Sequence, residues 1–257
     1  KKLAITVGEK AATTEWLLLT DVTCRPQSKY WLRAMARHAT QERNLVIGHT
    51  RFDDETPPFR RFLRSYTSLY LQQELARGNA LMLRRSEFEK RDGFRANLKY
   101  LRGEYDFIVN EYARPGTTAF ENSEDGTLLE LCPTDKAWRN KLLYYIEDRR
   151  HMARTAAHRW RHNLAQTLLH LSVVALLASV LLGCLTARWI LVAWAVLLLA
   201  ATVGLRTWIC LRALRSMDED QPASRLFLYE MRLLWHYLAF HVRYHRANKD
   251  DFITHKI

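Results

Sequence analysis

The first 150 or so residues alternate between short apolar runs and longer segments in which apolar side chains recur every three or four positions. The runs Glu15–Thr20 and Asn44–Phe52 are brief and rich in Leu, Val and Ile, and they predict buried strands. The helical spacing predicts three helices in the same region. They cover residues 2–15, with the helix itself ending at Thr13 or Thr14, Ser28–Gln41 and Phe59–Arg77.

The next stretch, Gly78 to Pro133, continues this alternation in shorter pieces. Gly78 is expected to end the preceding helix, and a short strand and a helical turn follow it. Leu101–Ala113 predicts a loop running into a helix, and two short strands are expected on either side of a turn at Asp125 and Gly126. Strands alternating with helices predict an α/β fold with a mainly parallel sheet.

Two later segments, Leu164–Leu185 and Ile190–Leu205, are nearly free of charge and rich in Leu, Val and Ala. Each is long enough, at about 1.5 Å per residue, to approach or cross a hydrocarbon layer of about 30 Å. They predict a transmembrane hairpin. Arg225–Arg246 is also apolar but carries charges, which favour an amphipathic helix at the membrane surface or against the soluble domain over a third span.

The chain carries a formal net charge of +12, which could indicate a nucleic-acid partner or a membrane. Basic residues are dense before the first apolar segment and after the second. The joint between the two segments contains a single charged residue, Arg188. Cytoplasmic ends of membrane helices carry such an excess of Arg and Lys. Because no nucleic-acid motif accompanies the charge, membrane flanking is favoured, with both ends of the hairpin in the cytoplasm.

The four cysteines show no paired spacing, which favours reduced packing residues over disulfides or a zinc site. The opening residues lack the pattern of a signal peptide. Both features favour a cytosolic soluble part.

Asp21 follows the predicted strand Glu15–Thr20 directly. Ligands of open α/β sheets bind beyond the carboxyl ends of the strands, where a carboxylate can hold a divalent metal that neutralises a diphosphate. An Asp in this position can also simply form a turn or cap a helix. The choice between these interpretations depends on the motifs that follow.

Several motifs occur in a fixed order over roughly residues 1–150. They are A-x-x-E-W-L-L-L-T-D-x-x-C-x-P-x-S-x-x-W-L, then G-N-A-L-M-L-R, then G-E-Y-D, then K-A-W-R-N-K. In this combination the chain resembles the family-2 inverting glycosyltransferases, especially bacterial membrane-associated members. The resemblance implies a partial GT-A-like nucleotide-diphospho-sugar transferase domain, followed by the transmembrane hairpin and the amphipathic C-terminal helix.

The resemblance implies roles for both acidic segments. Asp21 matches the first aspartate of the family's Asp-x-Asp motif, which binds a divalent metal (Mg²⁺ or Mn²⁺) and the donor diphosphate. Thr23 replaces the second aspartate, and its uncharged hydroxyl is a weaker metal ligand. Glu104 and Asp106 match the motif that supplies the general base, and the alignment leaves open which of them it is. Tyr105 interrupts the family's pair of neighbouring acids.

Two further segments match parts of the family's binding site. Asn79 and Arg84 match a segment that lines the donor-sugar pocket. Trp138, Arg139 and Lys141 match a Trp- and basic-rich motif, in which an aromatic face stacks on the acceptor sugar and a cation faces the pyrophosphate. Trp138 could equally be an anchor of the fold.

The resemblance predicts a glycosyltransferase that uses a nucleotide-sugar donor and a lipid-linked or glycan acceptor. The family's nucleotide-binding half is expected before Lys1, so the sequence resembles a C-terminal portion. A non-catalytic, membrane-anchored relative is the alternative. The predicted organisation is a catalytic portion over 1–150, a basic linker over 151–162, the hairpin over 163–212 and an amphipathic cytoplasmic tail over 213–257.

Overall fold

A computed structural model describes residues 1–71, 79–153, 156–248 and 252. Gly78, the predicted helix terminator, and residues 154–155 of the predicted linker lie outside the described residues. The strands are β1 Trp16–Leu19, β2 Cys24–Pro26, β3 Leu45–Gly48, β4 Thr50–Phe52, β5 Leu81–Arg84, β6 Thr118–Glu121 and β7 Leu128–Glu130. The helices are α1 Lys2–Ala11, α2 Trp31–Ala36, α3 Pro58–Leu71, α4 Arg85–Lys90, α5 Glu104–Tyr112, α6 Asp135–Arg150, α7 Ala156–Leu185, α8 Trp189–Arg215 and α9 Ala223–Arg246.

By contacts the chain divides into two compact units. The first comprises Lys1–Ala153, Met217–Glu219 and Ala239–Ile257, and the second comprises Arg154–Ser216 and Asp220–Leu238. The first unit contains all the strands described above.

The first unit is an α/β structure, as predicted, but its sheets are not mainly parallel. A four-stranded sheet has the order β1-β5-β3-β6, and only the β3–β6 pair is parallel. β5 lies between β1 and β3 and runs against both. The alternation of strands and helices does not determine from which end a strand enters a sheet, so the prediction of a mainly parallel sheet was wrong at β5.

The predicted strand Asn44–Phe52 is interrupted at His49, and its two parts, β3 and β4, belong to different sheets. The two strands predicted around Asp125 and Gly126 also form, as β6 and β7. They do not pair with each other: β6 joins β3, whereas β7 lies between β2 and β4 in a three-stranded sheet. The chain thus passes from the four-stranded to the three-stranded sheet between β3 and β4, and likewise between β6 and β7, their parallel partners.

Apolar side chains from both faces of the four-stranded sheet form the core. On one face, Leu45 and Leu83 pack with Phe88 and with Ile108 of α5. On the other face, Val46 and Met82 pack with α2. Because α5 contributes four apolar or aromatic side chains to this core, its N-terminal turn is held at a fixed place beside the sheet.

The second unit contains the predicted hairpin. Its apolar stretches, Asn163–Leu185 and Trp189–Arg215, are long and apolar enough to cross a membrane. The protein itself buries only 11% and 6% of these stretches, so most of their apolar surface faces outward. Ala187 adopts φ 52° in the turn between the two helices.

The amphipathic helix predicted over Arg225–Arg246 forms as α9. Within the described residues α9 is not among the helices apolar enough to span a membrane. In the second unit its Glu230 is fully buried and pairs with Arg206 of α8. In the first unit its Tyr244 is buried and donates a hydrogen bond to Glu147 of α6.

Candidate functional site

The first unit contains a cavity of about 490 Å³. A cavity of this size is in the range that holds small-molecule ligands. Seven of the nine predicted site residues line it, although they come from four separate stretches of the chain. They are Asp21, Thr23, Asn79, Glu104, Asp106, Trp138 and Lys141.

Asp21 and Thr23 lie in the connection between β1 and β2, beyond the carboxyl end of β1. The backbone N–H of Cys24 donates to the Asp21 carbonyl and closes this turn at 3.0 Å. The Nζ of Lys1 donates to Asp21 Oδ2 at 2.6 Å. Burial alone would raise the pKa of Asp21, but the bond from Lys1 and the backbone N–H groups of the turn lower it below its usual value. Asp21 is therefore an anion at neutral pH.

Glu104 and Asp106 occupy the first turn of α5, directly after Gly103. The positive end of the helix dipole favours carboxylates there. Glu104 is buried, and its Oε1 lies 3.2 Å from the Nζ of Lys1. Its Oε2 is buried with no hydrogen-bond partner in the described structure.

Tyr105 separates the two acids in sequence, and the structure gives it a clear position. Its hydroxyl donates to the Thr20 carbonyl at 2.7 Å. Thr20 immediately precedes Asp21, so this hydrogen bond ties the start of α5 to the end of β1. The residue that departs from the family pattern thus connects the two acidic segments.

Asp148 of α6 also lines the cavity, and the sequence interpretation missed it. Its carboxyl packs against Gly103, which has φ 81°, so closely that a Cβ on that glycine would lie 2.6 Å from the Asp148 Cγ. Burial, reinforced by Asp106, raises the pKa of Asp148 to about 8. Helical spacing in the sequence could have revealed Asp148, because it continues the row of buried positions along α6. These positions are Trp138, Leu142, Tyr145 and Asp148.

The cavity also contains a basic group around Glu130, at the end of β7. Glu130 is buried and lies 3.0 Å from Arg64 Nη2 and 2.6 Å from Lys141 Nζ. Asn79 donates to it at 3.2 Å. Burial would raise the pKa of Glu130, but Arg64 and Lys141 lower it. These two cations and one carboxylate carry a formal net positive charge between them, which suits an anion.

Arg64 and Glu130 were also missed at the sequence level. Arg64 stands in a basic stretch of α3, which by itself resembles an ordinary solvated face, yet its side chain is buried. Burial and the neighbouring Arg64 lower the pKa of Lys141, whereas Glu130 opposes them. Only the fold brings these charges together.

Trp138 is both packed into the fold and part of the cavity lining. It is buried, its ring meets Phe52 edge-on at 5.8 Å between centroids, and the Arg60 guanidinium lies 5.4 Å from the ring. It therefore anchors α6 while it also lines the cavity.

Arg84 and Arg139 do not line this cavity. Arg84 Nη2 donates to the carbonyls of Thr40 at 2.7 Å and of Arg43 at 2.9 Å, so it supports the loop after α2. Arg139 is exposed, and its Nε donates to the Asp135 carbonyl within α6.

A divalent metal does not fit the donor set as it stands. Within the described residues no group of three His, Cys, Asp or Glu side chains is placed to hold a metal ion. The predicted ligand Asp21 already binds the ammonium of Lys1, and Thr23 offers only a hydroxyl. Mg²⁺ and Mn²⁺ prefer several anionic oxygens in an octahedral arrangement.

Comparison with known proteins yields little. No family model matches the chain, and no curated protein matches it. Among solved structures, it is similar to the mannosyltransferase PcManGT from Pyrobaculum calidifontis, determined in complex with GDP-Man and Mn²⁺. The match has a TM-score of 0.46 and 17% identity, and it covers 92% of this chain and 67% of that one. A similarity of this degree assigns neither a family nor a function.

Proposed function

We propose that this chain is part of a family-2 type glycosyltransferase. It would transfer a sugar from a nucleotide-sugar donor to a lipid-linked or glycan acceptor, with inversion at the anomeric carbon. The observation that carries the proposal is that one cavity gathers seven residues singled out by motif, from positions as far apart as 21 and 141.

The distribution of charge within the cavity supports separate binding places for the donor and the acceptor. The group of Arg64, Lys141 and Glu130 carries surplus positive charge and suits the donor diphosphate. The first turn of α5 presents Glu104 and Asp106 to the same space and suits the acceptor. In the transfer step, the acceptor hydroxyl oxygen attacks the anomeric carbon and the bond from that carbon to the diphosphate oxygen breaks. The hydroxyl proton passes to the carboxylate of Glu104 or Asp106.

The hairpin supports a membrane location for this chemistry. The apolar surface of α7 and α8 is largely uncovered by the protein, and a bilayer would remove it from water. The basic flanks of the hairpin favour the cytoplasmic side for both of its ends. A lipid-borne acceptor would then reach the cavity by diffusion in two dimensions.

The test is transfer by the full chain in lipid nanodiscs, with a panel of radiolabelled nucleotide sugars and a membrane-lipid extract as acceptor. The general base should be revealed by a fall of about 100-fold or more in the transfer rate of either Glu104→Gln or Asp106→Asn. Arg139→Gln, outside the cavity, is the control and should retain activity. Turnover that survives both acid substitutions would contradict the assignment.

A non-catalytic relative remains the second candidate, and one observation favours it. Lys1 pairs with both Asp21 and Glu104, so one ammonium already holds two of the acids that the enzyme would use. Nucleoside diphosphate binding without turnover of any donor in the panel would support this alternative.

A further inference from the structure

The acidic side of the cavity is organised around one ammonium group. The Nζ of Lys1 lies 2.6 Å from Asp21 Oδ2 and 3.2 Å from Glu104 Oε1. It also lies 4.3 Å from the centre of the Tyr105 ring. Asp21 comes from the end of β1 and Glu104 from the start of α5, so this single cation bridges the two acidic segments.

The ammonium stands where an ion bound to Asp21 Oδ2 would have to bind. Such an ion would have to displace the ammonium, which also pairs with buried Glu104. Asp21, Glu104 and the Tyr105 ring together surround this ammonium, so a positive charge already occupies the place of an ion at Asp21.

We propose that the Lys1 ammonium takes the place of a divalent cation at Asp21, so that the cavity binds nucleoside diphosphates without metal. The inference concerns the same site and rests on the proposed function for its choice of ligand. Further positive charge for the diphosphate comes from Arg64 and Lys141, which both lie beside the carboxylate of Glu130. Lysine supplies a point charge and three donors, which suits phosphate oxygens.

The first experiment asks only whether metal binds. Mn²⁺ is titrated into the full chain in nanodiscs, and free Mn²⁺ is followed by its electron paramagnetic resonance signal. Wild type and Lys1→Arg, which keeps the charge, should leave the signal unchanged. Lys1→Met frees the two carboxylates and should deplete the signal. The control Lys10→Met, at an exposed lysine of α1, should not.

Stoichiometric Mn²⁺ binding by the wild type would overturn the inference. A folded Lys1→Met variant that leaves the Mn²⁺ signal unchanged would also overturn it, because the ammonium would then not be what excludes the ion. If Lys1→Met does not fold, Lys1→Gln, which removes the charge but keeps a polar side chain, is judged by the same criterion.

The second experiment measures UDP and GDP binding by calorimetry, in EDTA and in Mn²⁺. We expect the dissociation constants in the two conditions to agree within about twofold, and a tenfold gain with Mn²⁺ would refute metal-free binding. If neither nucleotide binds in either condition, the proposed function fails. The Mn²⁺ titration then still judges the role of Lys1 independently.

Discussion

Replacing Asp148 by Asn should change how the stability of the protein depends on pH. In the unfolded chain this carboxyl has an ordinary pKa of 3.8, whereas burial and Asp106 raise the pKa in the folded protein to about 8. Between these values the folded state holds one more proton than the unfolded state. The free energy of unfolding therefore falls as pH rises, by about 1.4 kcal/mol per pH unit for this group, and is level outside that window.

The magnitude at pH 7 follows from the same values. Burying the Asp148 carboxyl costs the folded state about 4 kcal/mol there, because pH 7 lies about three units above 3.8. Glu104, Glu147 and Lys2 also face this carboxyl, and Lys2 partly offsets the acids. The amide of an asparagine at this position would stay neutral at every pH. The variant should therefore be more stable than wild type at pH 8 and should lose most of that advantage near pH 5.

The assay is thermal unfolding of the full chain in detergent between pH 5 and 9, with wild type and variant compared at each pH. Asp135→Asn is the control on the same helix, because Arg60 lowers the pKa of that exposed carboxyl and its titration falls below this range. The Asp148→Asn curve should diverge upward from the wild-type curve as pH rises. Parallel curves over the whole range would refute the argument.

Three further substitutions test the geometry of the cavity. Gly103→Ala should cost about 2 kcal/mol or more in unfolding free energy, because it adds a clash with Asp148 to the backbone strain. Gly116→Ala, at φ 85° in open space, carries the strain alone, and equal losses would show that the contact is unimportant. Tyr105→Phe should lower the free energy of unfolding by about 1 kcal/mol, because the hydrogen bond to the Thr20 carbonyl is lost. Chemical denaturation measures this loss, and an unchanged midpoint would show that the hydrogen bond does not stabilise the fold. Glu130→Gln should lower stability by about 3 kcal/mol yet tighten phosphate binding by calorimetry, and weaker binding would contradict an anion site.

Local pattern was sufficient for most of the secondary structure. The period of apolar residues predicted α3, α5 and α9, and the buried runs predicted β1 and β3. The ends were less accurate: the helix predicted over Ser28–Gln41 forms only over Trp31–Ala36, and the one over 2–15 ends at Ala11. Helix ends depend on capping and on packing against neighbours, which a periodic pattern does not contain.

The residues of the candidate site also fall into two groups, those that the sequence predicted and those that only the fold reveals. Motifs pointed to Asp21, Glu104 and Lys141, because each stands among neighbours in sequence that resemble a family pattern. Lys1, Arg64 and Asp148 stand in no motif, and only their positions in the fold bring them to the cavity. Arg84 and Arg139 stand in motifs, yet their side chains hydrogen-bond to nearby backbone carbonyls.

By itself, the sequence determined the features that depend on neighbouring residues: the apolar hairpin, the amphipathic α9 and the acid at the end of β1. The tertiary structure alone decided the reversed direction of β5, the division of β6 and β7 between two sheets, and the ammonium between Asp21 and Glu104. The physical reason is one of range. Side-chain periodicity and composition act over a few residues, whereas strand direction and charge pairing depend on contacts between residues distant in the chain.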